Sequence, residues 1–163
     1  MDSLKVGDPS PHFVLKDIND NTIFLSNYCG NLRSDSDKSV PHVIILSFFT
    51  TWCAPCQSEI LILDRFYQDF QEEKVKVFLI AAEEEQNRVR DYIAKKKIVL
   101  PVLMDKFLTT SKNFGVMNQK GQLRVPQLYI IDRDGIISYI QKGYRKDADF
   151  RKVLINKVGE LLN

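Results

Sequence analysis

Residues 42–57 read HVIILSFFTTWCAPCQ. The first eight are apolar or β-branched almost throughout, the pattern of a central strand buried on both faces. From Ala54 the period changes. Ile60, Leu63, Tyr67 and Phe70 recur at helical spacing, with the polar Asp64, Arg65, Gln68 and Asp69 between them. Two of the chain's three cysteines, Cys53 and Cys56, stand at this strand-to-helix junction. A Cys-x-x-Cys placed there admits three readings: a disulfide that opens and closes, half of a metal site, or two inert buried thiols.

Position separates these readings. Thiols at i and i+3 of a helix have Cβ atoms about 5–6 Å apart, so a small adjustment closes a disulfide. The first cysteine meets the unpaired N–H groups and positive dipole end of the helix, which favours thiolate. The second lies one turn deeper, shielded until a partner is attached to the first. Pro55 is tolerated in a first helical turn. Cys53 is thus the expected nucleophile and Cys56 the resolving thiol. A zinc site would need two further ligands from Cys29, His12 and His42, which form no second pair, so no metal and no cofactor are expected.

Outward from the junction, PHFVLKD and TIFLS read as two short strands joined by a turn, and 31–41, rich in Ser and Asp, as a surface loop. Residues 75–82, VKVFLIAA, form another buried strand, followed by a helix with Val89, Tyr92 and Ile93 inward and Lys95–Lys97 at its C-terminal end. LPVLMD is a short strand, and LTTSKNFG a short helix closing at Gly115. PQLYIID and IISYIQ flank DRDG as a hairpin, and a last helix aligns Phe150, Val153, Leu154, Val158, Leu161 and Leu162. The order predicts one α/β domain over residues 1–163, a mixed central sheet flanked by helices with an extra N-terminal β-hairpin. Sites in such sheets lie beyond the carboxyl ends of the strands, where Cys53 falls.

The totals agree with a globular domain. Hydrophobic residues make up 44% and charged residues 27%, and the net charge of +2 offers nothing to a polyanion, so no nucleic-acid partner is expected. Apolar runs such as VIILSFF are too short to span a bilayer. The N-terminal MDSLKVGDPSP lacks the pattern of a signal peptide, although a cleaved signal or trimmed anchor would leave the same start.

With these motifs in order, the chain resembles the thioredoxin superfamily, in particular its TlpA/ResA-like thiol–disulfide oxidoreductases (redoxin domains), over about residues 6–162. The resemblance rests on VGDPSPHFVLKD with IFLSNYCGN, on LSFFTTWCAPC, and on RVPQLYIIDRDGIISY. It implies a thioredoxin-like fold and an enzyme that reduces or exchanges disulfides in protein substrates, supplied by an upstream thiol reductant. It also implies a cis peptide bond before Pro126, with Val125 pairing to substrate, against the alternative of a trans proline opening a strand. Trp52 would form a lip beside Cys53. Gln127 departs from the threonine common in thioredoxins, which bears on substrate preference. Thioredoxins proper carry a buried aspartate where this chain has Ser47, so the proton relay falls by resemblance to Glu84, with Glu83 the neighbouring option and a solvated acidic run the alternative. A periplasmic or cell-envelope location, with a tether outside this chain, follows from the family; the cytoplasm is the alternative. A monomer is expected. Cys29 has no matching role and reads as a small buried hydrophobe.

Two rival functions share the scaffold. A peroxiredoxin-like peroxidase would place threonine three residues before its cysteine, as Thr50 is, but a proline where Leu46 stands. A metal-binding chaperone would use a wider cysteine spacing and a downstream histidine, and no histidine follows His42.

Overall fold

The computed structural model describes residues 3–30, 40–70, 74–83, 85–145 and 149–163. Seven strands and four α-helices follow in the order β1 (Val14–Asp17), β2 (Thr22–Phe24), β3 (Val43–Phe49), α1 (Ala54–Asp69), β4 (Val75–Ala81), α2 (Gln86–Lys96), β5 (Val102–Met104), α3 (Thr109–Asn113), β6 (Gln127–Ile131), β7 (Ile137–Lys142) and α4 (Phe150–Leu162). They build one mixed sheet ordered β2-β1-β5-β4-β3-β6-β7. β3, β4 and β5 run parallel, while β6 lies antiparallel to β3 and β1 antiparallel to β5. The N-terminal hairpin therefore extends the sheet beside β5, with Val14 opposite Phe24.

Why β3 is apolar at nearly every position is clear from its two faces. Val43, Ile45 and Phe49 pack into a core shared with α1, α2 and α4. Ile44, Leu46 and Phe48 enter a second core with Phe13, Phe114 and Tyr129. A strand covered on both sides has no solvent face to write as polar. Ser47 is the exception, a hydroxyl buried on the face covered by α1.

α1 departs from the expected stripe. Its buried residues are Cys56, Glu59, Ile60, Leu63, Asp64 and Phe66, while Tyr67 and Phe70 are only partly covered. Asp64, expected outward, is buried because its Oδ1 accepts hydrogen bonds from the N–H groups of Val99 (3.0 Å) and Leu100 (3.2 Å), which tie the chain entering β5 to α1. The loop expected over 31–41 lies outside the described residues except for Val40 and Pro41.

At the β6–β7 turn, Asp132 accepts from the N–H groups of Asp134 and Ile136, and Gly135 takes φ +83°. A Cβ at Gly135 would lie 2.9 Å from the Cα of Gly30. Gly135→Ala adds both a left-handed strain and a backbone clash, and should lower unfolding stability by about 1–3 kcal/mol. Denaturant titration checks this, and a change under about 0.5 kcal/mol would contradict it.

Candidate active site

β3 delivers the chain to Thr50, Thr51 and Trp52 make a turn closed by the Cys53 N–H on the Thr50 carbonyl, and Cys53 is the N-cap residue of α1. Cys53 has φ −88° and ψ 106°, and its Sγ accepts the N–H of Cys56 at 3.2 Å. A sulfur here does what an N-cap oxygen does elsewhere, taking one of the unpaired donors of the first turn. The same N–H would stabilise a thiolate. Pro55 falls at a position whose N–H has no helical acceptor, so the ring removes nothing.

Cys53 and Cys56 are joined by a disulfide, with Cα atoms 5.3 Å apart. Their exposure is unequal: Cys53 retains 8% and Cys56 none. Only the first sulfur can be approached from outside. Trp52 beside it is 62% exposed, a rim residue rather than a core one. Across the sheet edge, the Val125–Pro126 peptide is cis, and the Val125 carbonyl oxygen lies 3.7 Å from Cys53 Sγ. In this oxidised form that is a contact; a reduced thiol could donate across it. The structure thus brings Cys53, Cys56, Trp52, Val125 and Pro126 to one end of the sheet.

Glu84 lies outside the described residues. Glu83 is described, and its carboxylate is spent on structure. It accepts the Thr51 N–H (2.8 Å) and faces the Thr51 hydroxyl (3.2 Å), with the Arg88 guanidinium at 3.9 Å. This clamp fixes the loop that carries Trp52 and Cys53. A second buried acid at this end of the sheet comes from α1. Glu59 is fully buried, and its Oε1 accepts from Ser47 Oγ at 2.9 Å. Burial pushes the Glu59 carboxyl up to about 7, against the lowering effect of the Ser47 hydrogen bond. Its Oε2 has no hydrogen-bond partner among the described residues, which suits a protonated acid better than an ion. Glu59 follows Cys56 by three positions and so shares its helix face, about 5–6 Å away at Cβ.

Glu59 is the residue that sequence reasoning missed, yet a signal was there. Positions 56, 59, 60 and 63 form an i, i+3, i+4, i+7 stripe, and a charged residue inside such a stripe needs an explanation. A stripe that begins at Ile60 leaves it out. The carboxyl occupies the surroundings of Ser47, where thioredoxins proper keep their aspartate, but reaches them from the helix rather than the strand.

Cys29 is buried, and its thiol is pushed up to about 12, mainly by burial and further by Asp132. Among the described residues, no cluster of three or more His, Cys, Asp or Glu is placed to hold a metal ion. Gln127, read as a possible influence on substrate choice, is buried at the start of β6 with its side chain turned away from the cysteines' surface.

Comparison with known proteins gives a consistent picture. A model of the AhpC/TSA family matches residues 6–140. The thiol-disulfide oxidoreductase ResA of Bacillus thuringiensis subsp. konkukian is 25% identical over 153 residues, covering 94% of this chain and 79% of that protein. ResA of Geobacillus thermodenitrificans is 24% identical over 152 residues, covering 93% and 78%. Among solved structures, a thiol:disulfide interchange protein of the thioredoxin family from Chlorobium tepidum superposes with a TM-score of 0.70 at 23% identity, covering 99% of this chain and 100% of that one. A secreted Mycobacterium tuberculosis disulfide oxidoreductase gives 0.68 at 17%, covering 91% and 96%.

Proposed function

This chain belongs to the AhpC/TSA family and is a thiol–disulfide oxidoreductase of the ResA-like kind, and from that premise we propose how its residues divide the work. In the reduced protein the Cys53 thiolate attacks one sulfur of a substrate disulfide. The Cys53–substrate mixed disulfide forms and the substrate's other sulfur leaves as thiolate. Cys56 then attacks the Cys53 sulfur, closing the Cys53–Cys56 disulfide and releasing the second substrate thiol. Two electrons and two protons pass to the substrate. An upstream dithiol returns the pair to the reduced state by the same steps reversed.

Glu59 takes the proton of Cys56 as that thiol becomes the nucleophile, a task suited to a carboxyl whose pKa sits near 7. Val125 and Pro126 form the docking edge for an extended segment of the substrate protein, and Trp52 flanks it. The work is done by a monomer in the periplasm or cell envelope. Among the described residues no helix is long and apolar enough to cross a membrane. The observation that carries this reading is the unequal exposure of two bonded sulfurs at a helix N-terminus.

Alkylation tests it. After reduction, Cys53 should titrate at or below about pH 7.5, against about 8.5 for an ordinary thiol, with Cys56 protected and Cys29 silent. An ordinary titration at Cys53, with no internal bridge on oxidation, would overturn the scheme.

One observation favours a second reading. The Thr50 hydroxyl, three residues before Cys53, is buried without a partner among the described residues, as though reserved for a small ligand. A peroxidase would use it there. Rapid peroxide consumption that survives Cys56→Ser would establish that activity; dithiol exchange predicts none.

A further inference from the structure

Residues 124–126 enter β6 as an irregular segment in which the polar backbone groups of Arg124 and Pro126 are occupied. The Arg124 N–H donates to the Val116 carbonyl at 2.9 Å. The Arg124 carbonyl accepts from Gln127 Nε2 at 2.8 Å. The Pro126 carbonyl accepts from the Gly143 N–H at 2.8 Å. Between these anchors Val125 is left open. Its N–H makes no hydrogen bond among the described residues, and its carbonyl faces Cys53 Sγ. A segment pinned on both sides with its middle peptide groups unspent is a sheet edge one residue long.

Gln127 is the one side chain among these anchors, and its orientation is fixed. It is 3% exposed, and its Oε1 lies 2.9 Å from the Tyr129 hydroxyl, whose single proton is shared with the Phe114 carbonyl at 2.7 Å. The Arg124 carbonyl can only accept, so it takes the amide nitrogen, and the amide oxygen is then turned to the Tyr129 hydroxyl, which holds it there. The Gln127 backbone is itself held in β6 between Phe48 of β3 and Lys142 of β7. The side chain therefore hangs from the rigid centre of the sheet and reaches back to the docking edge.

We propose that Gln127, oriented by Tyr129, is a positioning residue for protein substrates: by holding the Arg124 carbonyl it presents the Val125 peptide groups in strand geometry, and so sets affinity for an extended polypeptide beside the target disulfide. It does not take part in the sulfur chemistry. The inference rests on the thiol–disulfide exchange reading and adds to it the reason that Gln127 is buried rather than displayed. Removing the amide frees the Arg124 carbonyl and lets the edge wander before each encounter, a cost that falls on substrate binding. A small disulfide, which needs only access to Cys53, does not use the edge.

The test compares Gln127→Leu and Tyr129→Phe with the unmodified chain, using insulin as the protein disulfide and 5,5′-dithiobis(2-nitrobenzoate) as the small one. Gln127→Leu should raise KM for insulin about tenfold, equivalent to ~1.4 kcal/mol, with kcat within twofold. Its rate with the small disulfide and its reduction potential should not move. Tyr129→Phe, which keeps the amide but removes its guide, should raise KM about threefold with the same selectivity, and carries the test alone if Gln127→Leu does not fold. An unchanged KM for insulin in both variants, or equal losses on both substrates, would overturn the positioning role while leaving the exchange reading intact. An unmodified chain inactive on both substrates would remove the exchange reading and this inference with it.

Discussion

Cys56→Ser should convert a turning-over enzyme into a covalent trap. Cys53 keeps its N-cap seat, so the first attack proceeds and the mixed disulfide forms. Nothing inside the protein then opens it. A well-placed intramolecular thiol can act at an effective concentration of about 10⁵ M, whereas an external thiol is present at roughly millimolar levels, so resolution should slow by a factor on the order of 10⁸ and, once it limits the cycle, turnover should fall by at least about 10³. Disulfide-linked partners should accumulate and be visible by non-reducing electrophoresis and mass spectrometry. Cys53→Ser should trap nothing, because the remaining sulfur of the pair is wholly buried. Cys29 should not substitute, since it is buried and its thiol stays protonated. Near-normal turnover by Cys56→Ser would remove Cys56 as the resolving thiol. The trapped species, identified from the native source, would also name the substrate.

Glu59→Gln should change stability and rate together. The carboxyl is raised from 4.5 to about 7 on folding, chiefly by burial. Below pH 4.5 both folded and unfolded chains hold the proton and Glu59 is neutral in each. Between 4.5 and 7 the unfolded chain releases its proton first, so unfolding becomes easier as pH rises. The loss is complete once pH passes about 7, and amounts to about 3 kcal/mol. Glutamine keeps the shape and the Ser47 hydrogen bond but cannot ionise. The oxidised variant should therefore be more stable than its parent by about 3 kcal/mol at pH 8 and equal to it near pH 4, by denaturant unfolding at the two values. The position left unpartnered at Oε2 is a buried donor in both the neutral acid and the amide, so this comparison isolates the charge. Resolution of the mixed disulfide should slow about 100-fold at pH 7 and lose its titration near that value. Parallel stability profiles would reject the raised pKa. An unchanged pH–rate profile would reject Glu59 as the proton acceptor.

The gain in stability and the loss in rate have one origin. A buried acid poised near neutrality is costly to keep and useful only to a neighbour that must ionise there. Such residues are poorly written in local sequence. Glu83, Glu84 and Glu85 stand together as an acidic run and draw attention, yet Glu83 serves as a clamp on Thr51. Glu59, flanked on α1 by Ser58 and Ile60, looks like an ordinary helix residue until Ser47 is found above it. Asp64 is buried against its local pattern for the same cause, since the N–H groups that donate to it lie 35 and 36 residues away.

What the chain announces on its own is whatever depends on neighbours within a turn or a strand. Val43–Phe49 is apolar because both its faces are covered, the cysteine spacing matches one helical turn, and DRDG closes a hairpin. Those readings follow from periodicity and from short-range covalent geometry, and they were enough to place the thiols, order the elements and suggest the chemistry. Tertiary structure alone decided which carboxyl meets Ser47, which glutamate is a strut, and that Gln127 faces inward. Each depends on what packs against a residue from a distant part of the chain: 12 residues from Ser47 to Glu59, 32 from Thr51 to Glu83, 79 from Phe48 to Gln127. Desolvation is set by the whole enclosure of a group, and no window of sequence contains that enclosure.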